Sequence, residues 1–61
     1  MNNITVYSQY TFGKWYSVKA IYDTEIRHWR DVDRHGPFDS KAEADVECLK
    51  WIAQLEQEND Q

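Results

Sequence analysis

The 61-residue chain has little of the reinforcement that small proteins usually carry. Cys48 is its one cysteine, so no disulfide can close within the chain. His28, His35, Asp31, Asp33 and Cys48 form none of the close-spaced ligand pairs that structural zinc requires, so neither a metal nor any other cofactor is expected. Pro37, Gly13 and Gly36 are the only proline and glycines, which makes each of them a strong mark of a turn or an element's end. No stretch approaches the roughly 18 apolar residues of a membrane span. Met1-Asn2-Asn3-Ile4 lacks the cationic start and apolar run of a signal peptide. The expectation is a cytosolic protein with no membrane contact, and a single thiol suits a reducing compartment.

Aromatic mass stands in for the missing staples. Trp15, Trp29, Trp51, Tyr7, Tyr10, Tyr16, Tyr22, Phe12 and Phe38 make up 15% of the residues. Each removes on the order of 150 to 250 Å² from water when buried. A single domain of this size hides only about 60% of the surface its unfolded chain exposes. Some of these rings are therefore expected at the surface, which leaves open a partner-binding patch or a homodimer interface.

The pattern predicts three strands and one helix, an α+β fold in which a three-stranded antiparallel meander packs against a C-terminal amphipathic helix (βββα). Residues 4–10 alternate Ile4, Val6, Ser8 and Tyr10 with Thr5, Tyr7 and Gln9. Gly13 supplies a hairpin loop before a second strand at about 15–22. Within that strand Tyr16, Val18, Ala20 and Tyr22 are expected to face the core, and Trp15, Ser17, Lys19 and Ile21 the other side. A third strand is expected at about 26–32, ended by Gly36-Pro37, although Ile26, Trp29 and Val32 also recur at the three-residue spacing of a short helix.

The helix is expected at about 40–57. Ser40-Lys41-Ala42-Glu43 matches the capping box, in which Ser40 accepts from the Glu43 amide and the Glu43 carboxylate reaches back to the Ser40 amide. At 100° per residue Ala42, Val46, Leu49, Ile52 and Ala53 share one face, and Ala44, Cys48, Trp51 and Leu55 an adjoining one. That arc is wider than one sheet contact needs, so an outer helix surface centred on Trp51 and Leu55 is a candidate partner site. The tail 58–61 is expected to fray.

Charge is uneven under a net −4. Residues 14–35 carry five basic side chains against four acidic ones, whereas residues 39–61 carry two lysines against seven carboxylates. A basic sheet studded with rings is the pattern that single-stranded nucleic acid exploits, with bases stacking and phosphates meeting cations. On that alternative reading Lys14, Lys19, Arg27 and Arg30 make the contacts. The acidic residues among them, and the overall negative charge, favour a protein partner engaged through Trp51 and Leu55 or through a sheet face near Trp15 and Trp29. Asp31 and Asp33, two apart on a strand, are expected on one side. Cys48 lies in the apolar arc among carboxylates that disfavour a thiolate. A chain this short has little room for a water-excluding cleft, and no enzymatic activity is expected.

Gly36-Pro37-Phe38-Asp39-Ser40-Lys41-Ala42-Glu43-Ala44 resembles the strand-exit and helix-entry signature of peptidoglycan-binding SPOR domains. The likeness covers those nine residues alone. SPOR domains need a longer, doubled β/α pattern, so it is read as convergent. In size, aromatic density and βββα pattern the chain also resembles the short accessory proteins of lambdoid bacteriophage early regions. That resemblance implies a host-protein partner in the bacterial cytoplasm and supplies no site residues.

Overall fold

The computed structural model describes residues 3–59 and has the expected βββα order: β1 (Ile4–Thr11), β2 (Lys14–Asp23), β3 (His28–Phe38) and α1 (Lys41–Asn59). The strands form one antiparallel sheet in the order β1-β2-β3. Thr11 pairs with Lys14, leaving Phe12-Gly13 as a two-residue hairpin loop. Both loop residues have positive φ, 48° and 82°, as a type I′ turn demands. Asp23 pairs with His28 across the second turn, where the Asp23 carboxylate accepts from the Glu25 amide at 2.9 Å and Arg27 takes a positive φ.

β3 departs from the expected 26–32 at both ends. Ile26 and Arg27 belong to the turn, and the strand continues through Gly36-Pro37, joined by a cis peptide, to Phe38. The sheet tolerates proline there because β3 is an edge strand. Two register shifts, opposite Trp15/Ser17 and Lys19/Ala20, each insert one extra residue in β3. Such a bulge changes which residues share a face. Asp33 pairs with Lys19 and Asp31 with Ala20, so these two aspartates lie on opposite faces rather than on one.

The helix covers the face opposite to the one expected for β2. Ser17 donates to the Ala44 carbonyl at 2.7 Å, and Lys19 sits over the Trp51 ring. By alternation Trp15, Ser17, Lys19 and Ile21 face the helix, while Tyr16, Val18, Ala20 and Tyr22 turn away from it. The polar side of β2 is thus the packed side, because Ser17 satisfies its hydroxyl on the helix backbone.

The helix surface is also reversed. Ala44, Cys48, Trp51 and Leu55, at the i, i+4, i+7, i+11 spacing, are buried against the sheet, whereas Val46 and Leu49 are exposed. Trp51 and Leu55 therefore form the helix's core contact and not an outer surface. His35 of β3 stacks on Trp51 at 3.7 Å between centroids and contacts Glu47 at 2.8 Å through Nδ1. Ser40 caps the helix by accepting from the Glu43 amide at 3.2 Å. The Glu43 carboxylate accepts from the Ser40 hydroxyl at 3.3 Å, in place of the expected Ser40 amide. The helix extends to Asn59, past the expected 57, and the last two residues of the expected frayed tail lie outside the described residues.

Candidate interaction surface

Among the described residues one helix is layered on one sheet and the second sheet face has no element over it; several side chains are grouped on that face. Val18 lies at its centre with no accessible surface, and Ala20 beside it is 2% exposed. Both belong to the middle strand, so their neighbours on both sides enclose them. Tyr7 and Arg34 flank Val18 in register, and Asp31 flanks Ala20. The Tyr7 hydroxyl crosses β2 to donate to Asp31 at 2.9 Å. The Arg34 guanidinium stacks over the Tyr16 ring at 5.1 Å and donates to the Gln9 side-chain oxygen at 3.5 Å. Tyr22 meets Trp29 edge to face at 5.5 Å.

This arrangement depends on the second bulge of β3. Without the extra residue Arg34 would share a face with Arg30 rather than with Asp31 and Trp29. The bulge thereby brings Arg34 over the tyrosines. Burial, and next to it the bond to Asp31, raise the Tyr7 phenol above its ordinary 10.0. The proton that makes that bond is held more tightly in the folded chain, so its contribution is present at neutral pH and is lost as pH rises past that value.

Of the four aromatic or aliphatic residues expected to meet a protein, only Trp29 lies on this face with substantial exposure, 42%. Trp15 occupies the helix-side face at the opposite end of β2, 5.3 Å from Tyr10. Trp51 and Leu55 are buried. The four cations of the alternative reading are dispersed. Lys14, near the first hairpin, pairs with Asp39 at 2.5 Å, and Arg30, at the far end of the sheet, pairs with Asp23 at 3.6 Å. Lys19 lies over Trp51 under the helix, and Arg27 is in the second turn.

Alternation in the sequence groups Tyr16 and Tyr22 on one face of β2, but as the face toward the helix; that this face is the helix-free one, and that Tyr7 and Arg34 join it, depends on the pairing with β1 and on the bulge in β3. Phe12 is fully exposed at the tip of the first hairpin. A shallow hollow on the outer side of α1 is lined by Lys50, Ala53, Gln54, Glu56 and Gln57. Among the described residues no group of three His, Cys, Asp or Glu side chains is placed to share a metal ion, and no helix is long and apolar enough to cross a membrane. No protein-family model matches the chain, and no curated protein or solved structure matches it.

Proposed function

We propose that the chain is a small non-enzymatic protein-interaction module whose contact surface is the helix-free face of the sheet, anchored by Trp29. The observation that carries this reading is the grouping of Tyr7, Tyr16, Tyr22 and Trp29 on a face that no element of the described chain covers. An antiparallel sheet with one solvated face ordinarily shows polar residues there. Tyrosine, tryptophan and arginine are the side chains on which protein interfaces concentrate their binding energy, and Arg34 and Asp31 supply polar contacts around the rings. The resemblance to early-region phage proteins adds a host protein as the partner.

A nucleic-acid contact has less support, because Lys14, Lys19, Arg27 and Arg30 do not converge on this face and Asp31 stands within it. The test pairs two experiments. Partner capture from a bacterial lysate is expected to survive Leu49→Ala and to fail on Trp29→Ala, with a loss of about 2 kcal/mol or more, roughly 30-fold in affinity. Tryptophan fluorescence is expected to stay flat on titration with single- and double-stranded DNA and RNA. Saturable quenching that weakens steeply with salt would replace the protein-partner reading with the nucleic-acid one.

A further inference from the structure

The two edges of the sheet are treated unequally. β3 carries Arg30, Asp31, Asp33 and Arg34, two bulges and a proline, the devices by which sheets keep an edge from pairing with another chain. β1, Ile-Thr-Val-Tyr-Ser-Gln-Tyr-Thr, carries no charge, no proline and no bulge along eight residues. Its hydrogen-bonding phase is fixed at both ends. The Tyr22 amide donates to the Asn3 carbonyl at 2.8 Å, and Thr11 closes the two-residue hairpin with Lys14. Alternation then directs the backbone groups of residues 5, 7 and 9 toward β2, and those of Ile4, Val6, Ser8 and Tyr10 outward along the open edge.

The helix overhangs this edge with an apolar flank. α1 lies mainly over β1 and β2, and the Asp45 carboxylate accepts from the Ser8 hydroxyl, which sets the Asp45 side of the helix above β1. Leu49, Ile52 and Glu56 follow Asp45 at i+4, i+7 and i+11 and so continue the same flank. Leu49 is 69% exposed. Because Ala44 meets Ser17 and Trp51 meets Lys19, the helix runs along β2 and against β1, and the level of Tyr7 on β1 falls near Leu49 on α1.

We propose that β1 and this helix flank form a two-fold interface that takes a second copy of the chain, giving one six-stranded sheet. A dyad at Tyr7, perpendicular to the sheet, pairs Val6 with Ser8 and Ile4 with Tyr10 of the other copy, which uses the outward-facing backbone groups. It opposes Thr5 to Gln9 and Tyr7 to its own equivalent, so no like charges meet. Strand spacing of about 4.8 Å puts two helices above the β1–β2 seams about 10 Å apart, the ordinary packing distance of helices. Leu49 meets its equivalent at the dyad, and the antiparallel helices set Lys41 of one copy opposite Glu56 of the other. This self-complementarity is what a closed isologous contact requires, and it selects a second copy over an unrelated extended segment. The inference is independent of the partner assigned to the helix-free face, which the dimer would double in width.

Sedimentation and light scattering across micromolar to millimolar concentrations are expected to show twice the chain mass. Leu49→Glu alone and Leu49→Lys alone are expected to be folded monomers by circular dichroism, and their equimolar mixture to recover the dimer. Amide exchange is expected to slow with concentration at Ile4, Val6, Ser8 and Tyr10 and not elsewhere in β1. A wild-type monomer at every concentration overturns the proposal. So does a dimer that both Leu49 variants retain, or one that leaves those four amides unprotected.

Discussion

Single residues carry costs in this fold that their side chains do not repay within the chain. Phe12 has φ +48° at the first position of the type I′ loop, where asparagine is preferred, and its ring touches nothing that hides it. Phe12→Asn is therefore expected to raise stability by about 0.5 to 1 kcal/mol, read as a higher urea midpoint. Gly36 is the opposite case. With φ at +135°, an added Cβ would lie 2.9 Å from the Tyr16 ring and 3.1 Å from the Trp15 carbonyl oxygen. Gly36→Ala is expected to lower the midpoint by more than the roughly 1 kcal/mol of a plain glycine effect. Asp45 sets the acid behaviour. The Ser8 hydroxyl, and then the Lys41 ammonium, bond its carboxylate and hold it below its ordinary 3.8. A carboxyl depressed in the folded state stabilises fully above its unfolded value and loses that contribution as pH falls through the folded one. Acid titration of Asp45→Asn, followed by circular dichroism, is expected to show a shallower loss of stability below pH 3.8 than the parent chain.

At the scale of elements, the strands and the helix were legible from period and punctuation, while the faces they present were not. The capping residue Ser40 and the apolar spacing placed α1 nearly where it lies. Gly13 marked the first hairpin. The choice of packed face depended on partners that no local window contains. Ser17 became core because the Ala44 carbonyl receives its hydroxyl, and Lys19 lies inward because its ammonium rests over Trp51. Val18, left on the uncovered face, is still fully buried by its neighbours across the sheet. Val18→Ala is thus expected to cost about 2 kcal/mol despite having no helix above it, lowering Tm by on the order of 10 °C. Such a loss measured by calorimetry would distinguish a second packed layer from a merely solvated face.

The whole molecule is a thin two-layer object, 33 × 28 × 12 Å across its Cα atoms, so there is no second core to absorb damage. A chain of this length has a total stability of about 3 to 9 kcal/mol at the usual per-residue value. Removing a buried tryptophan costs about 3 to 5 kcal/mol. Trp51→Ala is expected to populate the unfolded state heavily, whereas Trp29→Ala, on an exposed ring, is expected to stay folded; thermal melts of the two variants check the contrast. The sequence by itself determined the βββα order, the first hairpin and the helix cap, because each rests on local conformational preference or on periodicity. It also determined that aromatic rings would exceed what the core holds, since that follows from size alone. Only the tertiary structure decided that Trp51 and Leu55 are core, that Trp15 and Trp29 lie on opposite faces, and that Arg34 joins the tyrosines. A β-strand has period two, so one bulge or one reversed face exchanges every inward residue for its outward neighbour, and that choice is made by the partner across the sheet.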